Sequence, residues 1–164
     1  MKIYKIIFLF IAMTLIHCTA IEENKDVKYH FDYPPELETV NELIGERKTH
    51  DAKMKVDDYL NKSENIHWFG HAYFLKAFLY EMDENYDKAI EYYRSAIQHS
   101  AKYNSWVEAK ALYNLSFVYE RLKNMEKLTT TLLDIMKRRE FFDVLTGQVE
   151  TPARLAAVYA YLGK

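Results

Sequence analysis

Glycine and proline are scarce in this chain, 4 and 3 residues out of 164, about 4% together where average usage is roughly 12%. That scarcity argues against a turn-rich β-sandwich and against a disordered chain. Cysteine occurs once, at Cys18, so the part that folds after it has no thiol pair and no internal disulfide, and core burial must stabilise it. Long apolar runs are missing too. The longest, Ile6 to Ile16, falls well short of the roughly 20 residues of a spanning helix. Charge of one sign is not in excess either. The formal net charge is −2, without the basic surplus expected of a nucleic-acid binder. Chemistry-bearing motifs are likewise absent: there is no Gly-x-Ser-x-Gly, and the few glycines form no phosphate-cradling loop.

Against these absences, hydrophobic residues make up 49% of the chain, charged residues 28% and aromatics 15%, with 14 Tyr and 9 Phe. Tyrosines combine large packing area with a polar tip, so helices packed through aromatics are the expectation. A chain this long suits one domain or one short repeat array, and is too small for two independent cores.

Residues 1–20 open with Lys2 and Lys5, continue into the apolar run and end in His17-Cys18-Thr19-Ala20. This composition reads as an export signal peptide rather than a retained anchor. Two processing routes are open: cleavage after Ala20, with Cys18 and Ala20 as the small residues of the site, or lipidation of Cys18. Leu15-Ile16-His17-Cys18 resembles a bacterial lipobox, although His17 stands where Gly or Ala is usual. Loss of residues 1–20 removes two lysines and no acid, moving the formal charge from −2 to −4. Residues 21–35 are polar, close on Pro34-Pro35 and read as a linker. Lys137-Arg138-Arg139, the densest basic cluster, reads as the last turn of a helix, where cations complement the dipole.

From Glu36 on, helical periodicity predicts helices at about 36–47, 50–61, 66–82, 86–99, 105–122, 125–138 and 152–162. No segment alternates as a strand does. Asp83-Glu84-Asn85, Lys123-Asn124 and Thr151-Pro152 place a capping residue or a first-turn proline before each new apolar stripe. A repeat underlies the pattern. Tyr73, Ala77 and Tyr80 fall at i, i+4 and i+7, as do Ala89, Tyr93 and Ala96, so each trio shares one helical face. Leu112, Ser116 and Tyr119 repeat the first trio, Leu128, Leu132 and Ile135 the second, and Pro152, Ala156 and Tyr159 begin another copy. Tyr80, Tyr119 and Tyr159 are separated by 39 and 40 residues, a period in the range of paired-helix solenoids.

These residues resemble the tetratricopeptide repeat family. Tyr73, Ala77, Tyr80, Ala89, Tyr93 and Ala96 match its pattern of aromatic and small residues on helices A and B, and Tyr86-Asp87-Lys88-Ala89-Ile90 looks like its usual opening of helix B. The resemblance implies an all-α helical-hairpin solenoid over residues 36–164. Within it lie a weak repeat at 36–61, a clear one at 66–100, a diverged one at 105–138 and a partial repeat or capping helix at 152–164. The period exceeds the family's usual one, implying longer helices or a longer turn around residues 101–105.

The resemblance further implies a non-enzymatic scaffold that takes a protein or peptide segment in a groove lined by helix A. The positions that carry over are His71, Phe74, Phe78, Glu81 and Met82 in one unit and Lys110, Tyr113, Phe117, Glu120 and Arg121 in the next. Their aromatic double row suits an apolar or helical partner, or else is buried as core. The Lys and Asn of the family's carboxylate clamp are replaced by Phe74 and Phe78. With the leader, the location implied is the bacterial periplasm or envelope, where a lipid on Cys18 would be the one membrane attachment. Bacterial chains of this plan also form the sensory front of larger signalling or transcription-regulating proteins. A third reading is a metal-dependent enzyme using His67 and His71. These are four residues apart, but no Glu follows His67 in the H-E-x-x-H manner and no third ligand is evident. The expectation is therefore no metal and no cofactor.

Overall fold

The computed structural model describes residues 34–61, 63–100, 105–138 and 149–163. The leader, Cys18 and the linker up to residue 33 lie outside the described residues. What is described consists of seven α-helices joined by turns, with no strand among the described residues. They are α1 (Pro35–Gly45), α2 (Thr49–Leu60), α3 (Phe69–Met82), α4 (Tyr86–Ser100), α5 (Ser105–Arg121), α6 (Met125–Lys137) and α7 (Thr151–Tyr161), with a 3-10 segment at Ser63–Trp68.

Local chemistry sets the ends of these helices. Pro35 stands in the first turn of α1, where a missing N–H costs no helical bond, and Glu36 and Glu38 beside it favour the positive end of the dipole. Three turns are built to one plan. Arg47, Glu84 and Lys123 adopt left-handed backbone, with φ of 60°, 56° and 53°. The amide of the following residue then donates across the helix end: Lys48 to the Leu43 carbonyl, Asn85 to Tyr80 and Asn124 to Tyr119, each at 2.9 Å. This is the Schellman closure. In the last two cases the Asn also opens the next helix, its Oδ1 accepting from the amide of Lys88 at 3.3 Å and of Lys127 at 3.1 Å. Gly163, at φ 67° after α7, is a fourth left-handed residue in register with these.

The turns fold the chain into hairpins α1–α2, α3–α4 and α5–α6, and each helix packs mainly on its neighbours in sequence. Contacts also join α1 to α3 and α3 to α5, the first helices of successive hairpins. This is the solenoid arrangement implied by the period. Small residues permit the close approach: Ala52, Ala77, Ala89 and Ala96 are fully buried. The diverged hairpin reaches the same burial with larger side chains, Leu128, Leu132 and Ile135, against Ser116. Gly70 performs a similar role where α3 meets the end of α4. A Cβ there would lie 2.0 Å from the Ser100 hydroxyl oxygen and 3.0 Å from its amide nitrogen.

Aromatic rings fill the space beside the small residues. Tyr92 stacks on Tyr80 at 5.3 Å and on Tyr73 at 6.3 Å between ring centres. The Lys53 ammonium lies 4.4 Å from the Tyr80 ring and that of Lys76 4.4 Å from Tyr92, a cation–π geometry. The same lysines pair with Asp83 and Asp57. Thus α2, α3 and α4 are laced together at the edge of the core by charges and rings as well as by the alanines within it.

Candidate interaction surface

The face shared by α3 and α5 holds the candidate groove residues, and the structure divides them into an inner and an outer set. Phe74 is inner, only 5% exposed. Its ring meets Tyr93 of α4 at 5.9 Å and His71 at 6.2 Å, and the Lys110 ammonium of α5 sits 5.2 Å from it. Phe74 is thereby committed to the junction of three helices. His71, half-buried beside it, has its imidazole pushed down to about 4 by burial and then by the charge of Lys110, so it stays neutral at physiological pH.

Glu81 ties the two hairpins. Its carboxylate accepts from the Tyr93 hydroxyl at 2.6 Å, and that hydroxyl accepts in turn from the Asn114 amide of α5 at 3.1 Å. Burial and the neighbouring Glu81 charge raise the Tyr93 phenol, keeping it protonated as the donor.

The outer set stays partly open to solvent. Phe78, Tyr113 and Phe117 are half-buried, while Met82, Lys110, Glu120 and Arg121 are exposed. Tyr113 and Phe117, one turn apart, meet edge to face at 4.9 Å. Two residues of α7 and its approach, unforeseen from the sequence, hold this pair. Glu150 accepts from the Tyr113 hydroxyl at 2.8 Å and 2.9 Å through its two oxygens. Arg154 lays its guanidinium 4.0 Å from the Phe117 ring centre, donates to the Ser116 hydroxyl at 2.9 Å and pairs with Glu120. One sequence clue pointed to Arg154: it is the single charged residue of α7.

His67 and His71 do not share a helix. His67 lies on the 3-10 segment and is exposed, while His71 is on α3, so the four-residue spacing no longer means one helical face. Trp68, between them, has the non-helical φ of −102° and ψ of 0° at the junction. Among the described residues no three His, Cys, Asp or Glu side chains are grouped to hold a metal ion. No described helix is long and apolar enough to cross a membrane.

The model of the tetratricopeptide repeat matches residues 70–102, the span of α3 and α4 with its left-handed turn. The α3–α4 hairpin is a tetratricopeptide repeat. No curated protein and no solved structure matches it. Within the matched repeat the small-residue and aromatic positions Ala77, Ala89, Tyr93 and Ala96 are all buried, with Tyr73 and Tyr80 half-buried at its edge. The next hairpin buries the corresponding position, with Tyr119 only 4% exposed, and Tyr159 of α7 is half-buried. Tetratricopeptide repeats suggest a role in protein–protein interaction, typically as non-enzymatic scaffolds.

Proposed function

We propose that this repeat protein is a non-enzymatic scaffold that docks an apolar, helical segment of a partner protein on the outer row of α3 and α5. One observation carries the reading: Phe78 and Met82 on α3 and Tyr113 and Phe117 on α5 keep part of their apolar surface in water. Apolar side chains left partly open beside charged ones, here Glu81, Glu120 and Arg121, are the usual composition of a contact surface. An amphipathic helix laid along such a row would place its own apolar positions against the rings.

The test is a pair of substitutions chosen by burial. Phe78→Ser and Phe117→Ser together should leave the helical spectrum intact and abolish capture of the partner. Phe74→Ser should instead lower the melting temperature, because it opens a cavity at the α3–α4–α5 junction. Loss of fold with Phe78→Ser and Phe117→Ser would contradict the reading by making the row core. For location, the leader supports export to the bacterial envelope. Mass spectrometry of the mature chain distinguishes the routes: an unmodified start at Ile21 follows cleavage after Ala20, and an acylated start at Cys18 follows lipidation. A chain that retains residues 1–17 in the cytoplasmic fraction would refute export.

A further inference from the structure

The charges on the α3–α5 face are answered within the protein, with one exception. Glu81 accepts from the Tyr93 hydroxyl, Glu120 pairs with Arg154, and Arg121 donates to the Tyr86 hydroxyl with the charges of Glu81 and Glu84 nearby. Lys110 belongs to none of the ion pairs among the described residues. Glu108, two positions before it, is buried and paired with Arg138, and residues 101–104, which precede α5, include no acid. The Lys110 ammonium is nevertheless held in place, 5.2 Å from the Phe74 ring centre and 4.8 Å from that of Trp106. Such rings attract a cation through their faces but carry no net charge, so the positive charge is positioned without being neutralised. The neighbouring His71 registers it, since after burial it is the Lys110 charge that pushes the imidazole down.

Trp106, Lys110, Tyr113 and Phe117 fall at i, i+4, i+7 and i+11, so they share one face of α5. Trp106 is 53% exposed and extends the outer row by a turn beyond Lys110. A partner helix with only apolar residues, laid along this face, would strip water from an ammonium that has no counter-charge, which is unfavourable. A carboxylate at that point removes the penalty and adds a charge-assisted hydrogen bond. Lys110 and Phe117 are seven residues apart, about 10 Å along the helix, so the partner's acid and the apolar side chain that meets Phe117 would be about two turns apart. A polyanion such as a nucleic acid fits this face poorly. It would find one unanswered cation beside the carboxylates of Glu81, Glu120 and Glu150, and polyanion affinity rests on several cations acting together.

Resting on the reading that the α3–α5 row takes a partner helix, we propose that the helix it selects carries a side-chain carboxylate, seated on Lys110 beside Trp106 and about two turns from the apolar residue that meets Phe117. The probe is a fluorescently labelled amphipathic helical peptide with a leucine stripe and a single Glu two turns from its last leucine, both ends capped so that no terminal carboxylate competes. It is titrated into the intact protein beside its Gln and Lys versions and followed by anisotropy. The Glu peptide should bind about tenfold more tightly than the Lys peptide. Lys110→Gln should remove that preference and Lys110→Glu should reverse it. Lys110 is exposed, so the melting curve should be unchanged in both variants. Equal binding of the three peptides by the parent would overturn the proposal while leaving the row as a docking surface, whereas no binding of any of them would overturn both. A Glu preference that survives Lys110→Glu would put the acid elsewhere and also overturn it. So would a dimer of the protein alone, seen by sedimentation and split by Lys110→Glu, which would make a second copy the occupant.

Discussion

At the scale of single residues, the fold rests on places where one more atom does not fit. Ala89 is fully buried between helices, and its replacement by Trp should overpack that contact at a cost of about 1–3 kcal/mol. An unchanged melting curve for Ala89→Trp would remove the tight-packing explanation. Gly70 is the harsher case, since its added Cβ meets the hydroxyl and backbone of Ser100. Gly70→Ala should lower the melting temperature although alanine is the better helix former. Ser100→Gly in the same chain should recover part of the loss, because the hydroxyl clash goes while the backbone contact stays. Calorimetry of the two variants and their combination checks this.

His71 adds a pH dependence whose sign is fixed by its surroundings. Burial and Lys110 hold its folded-state pKa near 4, against the ordinary 6.5. As pH falls below 6.5 the unfolded chain takes up a proton that the folded chain still refuses, so stability is full above that range and is lost on acidification. The loss attributable to His71 should reach about 2 kcal/mol by pH 5. Denaturant titrations of His71→Leu should show a flatter profile between pH 6.5 and 5 than the parent, and parallel profiles would refute the assignment.

Residue spacing made the buried alanines legible: Ala77, Ala89 and Ala96 sit at intervals that only a hairpin of close helices explains. Phe74 and Phe78 were not separable in that way. One turn apart on the same face, they carry the same chemistry, and only the approach of Tyr93 and Lys110 from two other helices puts Phe74 inside.

At the scale of elements, the turns carry as much of the repeat as the helices do. Each closes on a left-handed residue with a side chain, a backbone region that disfavours L-residues. Lys123→Gly should therefore stabilise the protein by up to about 1 kcal/mol, and Lys123→Val should destabilise it. Asn124 caps α6 through Lys127, so Asn124→Ala should cost about 1 kcal/mol. Thermal melts of the three variants test the turn as a unit. The Asn caps were visible in the sequence before their helices. The left-handed residues were not, because no glycine marks Arg47, Glu84 or Lys123. Residues 66–68, expected to open the helix at 66–82, instead end the 3-10 segment Ser63–Trp68, and the α-helix begins at Phe69.

At the scale of the whole molecule, the solenoid was legible because its period recurs in sequence, whereas the bonds between repeats were not. Glu150 with Tyr113 and Arg154 with Ser116 and Glu120 join residues 34 to 38 positions apart. No local pattern specifies which polar residues meet across that distance. These bonds fix the outer aromatic row on the scaffold and leave its rings partly open, the arrangement on which the interaction reading depends. The most direct measurement of that reading is site-specific photo-crosslinking in cells, with a benzophenone side chain placed at Phe78 or Tyr113 and, as the control, at exposed Thr130 on α6. One discrete protein adduct is expected from positions 78 and 113 and none from position 130. Adducts from position 130 alone, or none at 78 and 113 while the protein is folded and expressed, would contradict it.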